Sequence, residues 1–452
     1  MPAQGLHQPA RFRRVCPLLQ ETKAGWRCSV AAARVRPFWS RALLFFGVTG
    51  AALYLLAAAV ALQIFHRIGY QRLAYKDVVW PGHWNRFHQV QSSFFRDQGL
   101  QALQSGDNGP AMLSLSTAWQ IDPGDYELGL LLAQLWAFRG GYGYSDTIFS
   151  QLLSDFPDQA TRTALDYHDM LLGAQRFQAL AELCLTRLAV ETGRRPIYEN
   201  SLFYALEQGR LAAKFTEEHA TQLNRLPPRI ALLTRAYALG QQGRVAEARE
   251  LLKPRRAAAD GVIFLRLQIE ALARLGAGAE ATQLLNHYAK TFGPFEQSAL
   301  QYYVTALNDH GDLARSDFRV MLRRPLSPRE FDRACALLIR TGDRDSLRLL
   351  PGLLWLDTLQ SNPEAAAALW VAGLTLGEKS VTARAAGKLA ELHRTEIPAI
   401  EAINFLSVNP ADNRSVPYLV KIIRLPRETI YALVAEANRH QIEAQARLRR
   451  EN

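Results

Sequence analysis

Cysteine is scarce in this chain, which contains four among 452 residues. No two of them have the C-x-x-C spacing of zinc sites or redox motifs, so the sequence predicts neither a metal centre nor another cofactor. Cys184 and Cys335 lie 151 residues apart in apolar segments with helical periodicity. That separation does not favour a disulfide, and we interpret both as small core residues.

A large excess of one charge is missing from most of the chain. The formal net charge is +11, but residues 1–41 contain eight basic groups and one acid and account for +7 of it. The remaining residues carry 45 basic and 41 acidic groups, which leaves +4. A nearly neutral body lacks the basic surface that phosphate binding requires, so we expect no nucleic-acid partner and disfavour an RNA-binding helical repeat.

Motifs for catalysis are also missing. The sequence has no H-E-x-x-H, and the glycine-rich stretch at Gly140 lacks the Lys-Ser/Thr of a phosphate-binding loop. Asp166, His168 and Asp169 are near neighbours on one predicted helix, where we expect them to point in different directions. We therefore predict that the chain is not an enzyme and has no catalytic, cofactor-binding or metal-binding residues.

Glycine, in contrast, recurs at almost constant spacing. Successive intervals between nine of these glycines lie between 31 and 36 residues. Such spacing predicts a stack of helical hairpins, since each hairpin needs one tight turn between two closely packed helices. A generic helical bundle would not keep nine glycines in one register. They are Gly106, Gly140, Gly173, Gly209, Gly243, Gly276, Gly311, Gly342 and Gly377.

The residues around these glycines resemble the tetratricopeptide repeat (TPR), a unit of 34 residues with large and small side chains at fixed places. In the unit that starts at Ser92 these places hold Phe95, Gly99, Gly106, Ala111, Ala118 and Pro123. The resemblance covers about 90–395 and is closest in the units that start at Ser92, Tyr126, Arg229 and Val262. It implies an all-α chain with an α-solenoid of about nine TPR-like hairpins over residues 92–395.

In this family the first helix of each unit lines a concave groove, usually with its second, fifth, ninth and twelfth residues. A groove of mixed charged, aromatic and aliphatic residues suits a protein or peptide partner, such as an amphipathic helix or an extended segment. The alternative, that each residue is only part of a solvated helix surface, stays open. Carried over to the four closest units, these groove positions are Arg96, Leu103, Glu127, Leu130, Gln134, Leu233, Tyr237, Arg266 and Glu270.

An uncharged apolar run occupies residues 42–65. As a helix it would span about 36 Å, which is enough to cross a bilayer, so we predict a transmembrane helix followed by a juxtamembrane connector at 66–91. The basic residues before it place the predicted disordered tail, residues 1–41, in the cytoplasm and the repeats on the other side. This favours a signal anchor in a bacterial inner membrane with periplasmic repeats.

Two other interpretations of the N-terminal region stay open. Ala59-Val60-Ala61 has the form of a signal-peptidase site, which would release the protein for export. The arginine-rich, acid-poor tail is also compatible with a mitochondrial presequence ahead of an inner-membrane anchor.

The repeat pattern stops after His393. We predict a helical cap over residues 396–452, in which a helix from Pro426 to Asn452 covers the exposed end of the solenoid. Its apolar residues Ile430, Leu433, Val434 and Ile442 are expected on one side.

Together these features predict a membrane-anchored scaffold or adaptor that binds a protein partner outside the cytoplasm and supports assembly of an envelope complex. The alternative is a component of polysaccharide export or cell-envelope biogenesis. In that case an aromatic cluster could contact sugar, although the same side chains could instead fill spaces between hairpins. The cluster comprises Trp136, Phe138, Tyr142 and Tyr144.

Overall fold

The computed structural model describes residues 19–23, 25–28, 32–190, 193, 195–253, 261–308, 311–355, 361–392 and 425–451. The chain divides into two compact units, Met1–Leu132 and Ala133–Asn452. Nearly all of the described residues are helical, as the sequence predicts.

A two-stranded antiparallel hairpin, β1 (Leu19–Thr22) and β2 (Gly25–Cys28), is the exception. These residues lie in the tail for which we predicted disorder, and the strands differ from that prediction. Residues 1–18, 24 and 29–31 of the tail lie outside the described residues. The two strands satisfy backbone groups by pairing with each other, with Leu19 opposite Cys28.

The first unit continues with a long helix, α1 (Ala32–Ile68), which begins ten residues before the predicted transmembrane segment. Its portion Ser40–Ile68 is long and apolar enough to cross a bilayer, and it is almost entirely unburied. A signal sequence would have the same length and composition. The unit also contains α2 (Tyr75–Val79), α3 (Trp84–Gln104) and α4 (Asn108–Ile121).

The juxtamembrane connector folds back along the second half of α1. Tyr54 Oη donates to the Val79 carbonyl at 2.7 Å, and Tyr75 Oη donates to the Leu55 carbonyl at 2.7 Å. Asp77 of α2 is fully buried and accepts the Ala74 backbone N–H at 3.1 Å. These contacts hold α2 against α1.

The rest of the chain is a succession of helices joined in pairs by short turns. Each of the nine glycines lies at such a turn or at the end of the helix before it. The helices are α5 (Tyr126–Phe138), α6 (Tyr142–Asp155), α7 (Ala160–Gly173), α8 (Phe177–Val190), α9 (Arg195–Gln208), α10 (Ala212–Glu218), α11 (Ala220–Leu223), α12 (Pro228–Gln241), α13 (Val245–Leu252), α14 (Val262–Arg274), α15 (Gly278–His287), α16 (Pro294–Asn308), α17 (Asp312–Met321), α18 (Pro328–Thr341), α19 (Arg344–Leu347), α20 (Pro363–Leu376), α21 (Lys379–Leu392) and α22 (Arg427–Glu451).

Six of the nine glycines have a φ in the left-handed region, whereas Gly173, Gly209 and Gly311 do not, and Gly311 has an extended φ of 167°. At the turns after α7 and α9 the left-handed residues are Gln175 (φ 56°) and Arg210 (φ 51°). Gly209 is needed there for a different reason. A Cβ at this position would lie 2.8 Å from Leu211 Cδ1 and 2.9 Å from Phe177 Cβ, so the close approach of two helices requires glycine.

The small residues of the repeat pattern lie in the core, where the pattern puts them. Ala111 and Ala118 are fully buried, and a Cβ on Gly99 would meet Leu115 Cγ at 2.6 Å. Cys184 and Cys335 are buried and unpaired, so their prediction as core residues is confirmed.

Candidate functional site

The C-terminal helix α22 lies inside the second unit. It packs against α18 and α20 and also touches α7 and α9, which are distant along the chain. The consecutive residues Ile430, Tyr431 and Ala432 are all buried, so this part of α22 is surrounded rather than covered on one side. A helix is present where we predicted one, but it is held between distant hairpins and does not cover one end. Residues 396–424 of the predicted cap lie outside the described residues. We term the surface formed by the facing sides of α9, α12, α14, α16 and α18 the groove.

Hydrogen bonds to α18 hold the first turn of α22. The backbone N–H and Oγ1 of Thr429 donate to Asp332 Oδ1 at 3.0 and 2.5 Å. Burial raises the pKa of Asp332 to about 7, with Glu428 adding to the rise while the hydrogen bonds from Thr429 oppose it. Arg333 Nη1 donates to Glu428 Oε2 at 3.0 Å. On the opposite side, Arg427 Nη2 lies 3.6 Å from Asp169 of α7.

Tyr431 connects α22 to α9. Its hydroxyl is 2.6 Å from Ser201 Oγ, and its carbonyl accepts from Tyr204 Oη at 2.8 Å. Two turns further on, Asn438 Nδ2 donates to the Gln208 carbonyl at 3.0 Å. Burial raises the pKa of the Tyr431 hydroxyl, which therefore stays neutral and can donate.

A buried ion network lies in the groove wall, with Glu270 of α14 at its centre. Glu270 accepts from Arg333 at 2.7 Å and from Arg340 at 2.8 Å, both on α18, and from Arg274 at 3.3 Å. Burial alone would raise the pKa of Glu270, but the surrounding arginines hold it well below its ordinary value. The network links hairpins that are not consecutive, because Arg274 also pairs with Glu207 of α9.

A cavity of about 570 Å³ remains between α22 and the groove wall. Its charged lining is unequal on the two sides. The wall contributes five arginines and two glutamates, whereas α22 contributes three glutamates and one arginine. The wall residues are Arg210, Arg266, Arg274, Arg333, Arg340, Glu207 and Glu270; those of α22 are Glu428, Glu436, Glu443 and Arg439.

His168, Asp169 and Ser201 meet beneath α22, which corrects the expectation that the acidic and histidine side chains of α7 diverge. His168 Nδ1 is 2.8 Å from Asp169 Oδ1, and His168 Nε2 is 2.5 Å from Ser201 Oγ. The order carboxylate–imidazole–hydroxyl is that of a nucleophile with its base. Ser201, however, is fully buried and is covered by Tyr431. It lies inside a helix, so the backbone N–H groups around it form the helix's own hydrogen bonds. In this state the cluster has no room for a substrate and connects α7, α9 and α22.

No group of three or more potential ligand side chains in the described part of the chain could hold a metal ion.

Three of the nine predicted groove residues, Tyr237, Arg266 and Glu270, line the cavity together. Leu233 and Leu130 are buried core residues instead, with 0% and 4% exposure.

The other four lie outside this cavity. Arg96 Nη1 donates to Asp125 at 2.7 Å within the first unit. Glu127 is exposed, whereas Leu103 and Gln134 are half-buried. Contact with a partner stays a prediction for all nine.

Sequence reasoning missed Glu207, Arg274, Arg333 and Arg340 of the wall, and Glu428 of α22. Part of the signal was present: Arg266, Glu270 and Arg274 recur every four residues, which puts them on one face of α14. Their contacts with α9, α18 and α22 depend on how the hairpins wind together. The spacing of residues along one helix does not predict that winding.

The sequence matches no protein-family model and no curated protein. Among solved structures, the chain is similar to the TPR domain of P58(IPK), with 14% identity and a TM-score of 0.22. The similarity covers 78% of this chain and 99% of that domain. The architecture described above therefore rests on the packing of this chain's own helices.

Proposed function

We propose that this chain is a membrane-anchored, TPR-like scaffold or adaptor whose groove binds a helical segment of a protein partner. The observation that carries the proposal is the groove's present occupant: a helix held by an ion pair at Glu428, by the hydroxyl of Tyr431 and by backbone-directed bonds such as that of Asn438. A surface that holds one helix through side chains from several hairpins has the features needed to hold another.

Membrane anchoring is the second part of the proposal. Leu43 and Phe46 on α1 are each 71% exposed, and other large apolar residues around them are exposed as well. A bilayer would cover these side chains. The excess of basic residues before the apolar run at residues 42–65 favours a cytoplasmic N-terminus and helical repeats on the periplasmic side of a bacterial inner membrane. A scaffold in that place would support the assembly of an envelope complex.

A photo-crosslinking residue at Tyr237 tests the groove directly. Tyr237 lines the cavity, while Arg235 on the same helix is exposed and provides the matched control. We expect a covalent adduct with a second polypeptide from position 237 and none from position 235, in membranes that contain the full chain. Adducts of equal yield at both positions, or a complete lack of a second polypeptide, would contradict the proposal.

The alternative in polysaccharide export draws on the aromatic cluster at the start of the second unit. Trp136 stacks on Tyr144 with ring centroids 4.7 Å apart, and Tyr144 remains 66% exposed. An exposed, braced aromatic face is a suitable platform for a sugar ring. Affinity electrophoresis in an envelope polysaccharide would show retardation that Tyr144→Ala abolishes if this alternative holds; equal mobility of both proteins would eliminate it.

A further inference from the structure

The fit between α22 and the groove is incomplete. Beside the cavity, several buried polar atoms have no hydrogen-bond partner: Tyr237 Oη, Arg266 Nε, Arg333 Nε and Glu296 Oε1. Glu296 Oε1 lies 3.7 Å from Arg333 and 4.0 Å from Arg266, which is beyond hydrogen-bonding distance. Buried donors and acceptors without partners disfavour the arrangement that contains them. Tyr237, Arg266 and Arg333, which line the cavity, therefore each contain a polar atom that α22 leaves without a partner.

Charge indicates the kind of helix that this wall would select. The wall lining of the cavity has an excess of three positive charges, and the α22 lining has an excess of two negative charges. Glu428, Glu436 and Glu443 recur at intervals of eight and seven residues, so they share one side of the helix. An acidic helix complements the wall, whereas a basic or neutral helix would leave the wall's excess of positive charge uncompensated.

We propose, building on the protein-binding function proposed above, that α22 is an exchangeable internal ligand and that the groove's partner is an acidic helix of another protein. That helix presents a carboxylate where Glu428 meets Arg333 and an aromatic hydroxyl, three residues later, where Tyr431 meets Ser201. Docking of α22 and binding of the partner exclude each other. The chain therefore keeps its groove closed until a helix with better contacts replaces α22.

Competition of this kind has a measurable consequence. When only a small fraction of the protein has an open groove, the apparent affinity for an added helix is reduced in proportion to that fraction. A change that weakens α22 docking without altering the wall raises the open fraction and tightens the binding of the added helix.

The test uses the full chain in detergent and a fluorescein-labelled peptide with the sequence of residues 425–446. Binding is measured by fluorescence anisotropy to the unchanged protein and to the double variant Glu428→Gln, Tyr431→Phe. We expect the variant to bind the peptide at least about tenfold more tightly. A peptide carrying the same two substitutions should bind the variant at least about tenfold more weakly than the unsubstituted peptide does.

Glu247→Gln is the matched control, since Glu247 is a glutamate in an exposed pair with Arg244 on α13. The Glu247→Gln protein should bind the peptide as weakly as the unchanged protein does. Equal peptide affinity for all three proteins would overturn the proposal. So would a concentration-dependent dimer that accounts for the binding, because the occupant would then be α22 of a second copy.

Hydrogen exchange on the unchanged protein is a second, independent test of whether α22 is exchangeable. An exchangeable α22 opens without the rest of the fold, so its amides should exchange faster than those of α18. Equal protection of the two helices would make α22 a permanent part of the core and refute the exchange. In that case an adduct with a partner from position 237 would still support the proposed function, so the two ideas fail separately.

Discussion

Replacing Glu270 with glutamine removes the one carboxylate that three arginines share. Glu270 is 4% exposed on its side chain, and its oxygens lie 2.7, 2.8 and 3.3 Å from nitrogens of Arg333, Arg340 and Arg274. Glutamine keeps the shape and one acceptor but leaves the arginines without their central negative charge. Breaking a buried pair by removing one partner costs about 3–5 kcal/mol, and we expect a loss of that size in the free energy of unfolding.

The assay is urea unfolding of the full chain in detergent, followed by circular dichroism, with the slope of the transition checked for constancy. Glu247→Gln provides the control for a glutamate in an exposed pair and should leave the unfolding midpoint unchanged. In a double-mutant cycle, Glu270→Gln and Arg340→Gln should be strongly non-additive because the two side chains are in contact. A loss below about 1 kcal/mol for Glu270→Gln, with additivity in the cycle, would refute the reasoning about the network.

Three further predictions concern α22, the turns and the membrane. Asp332 has a raised pKa, so its contribution to stability is full below its ordinary pKa of 3.8 and is lost as the pH rises through about 7. Asp332→Asn should remove up to about 4 kcal/mol of this pH dependence, and urea midpoints at about pH 4 and about pH 8 measure it; parallel curves for the two proteins would contradict the assignment. Gly209→Ala should lower the free energy of unfolding by about 1–3 kcal/mol because its Cβ meets Leu211 and Phe177. Gly143→Ala, where an added Cβ has nothing within 4 Å, is the uncrowded control and should cause no loss, because alanine is favoured over glycine in a helix. Equal losses for both variants in urea unfolding would show that crowding is not the cause. Protease added to spheroplasts should digest the helical repeats and spare a tagged N-terminus, whereas protected repeats would reverse the proposed topology.

The sequence predicts the helical hairpins but not how they pack against one another. Regular glycines such as Gly106 and Gly342 mark turns because the need for positive φ is local, and a local need leaves a local pattern. Two turns escaped the simple rule, since Gln175 and Arg210 take the left-handed conformation there. At these two turns a residue other than glycine takes the left-handed conformation, which the glycine pattern does not predict.

The site was only partly predictable for the same reason. Tyr237, Arg266 and Glu270 could be placed on the groove side because helical periodicity fixes which face they share. The apolar residues of α22 indicated a helix that covers something, and one-sided coverage of the solenoid end was the simplest interpretation. Its burial among α7, α9 and α18 depends on how several hairpins wind together, which is a long-range property with no signature in the spacing of α22 itself.

The most direct test of the account is the position of α22. Cysteines introduced at Gln208 and Asn438, whose backbone carbonyl and side-chain amide are 3.0 Å apart, can be joined by a short bifunctional reagent once the chain's own four cysteines are replaced by alanine. We expect an efficient cross-link within one chain, identified as a peptide pair by mass spectrometry. A failure of these two positions to link, while each reacts readily with a soluble thiol reagent, would contradict a groove that contains its own C-terminal helix.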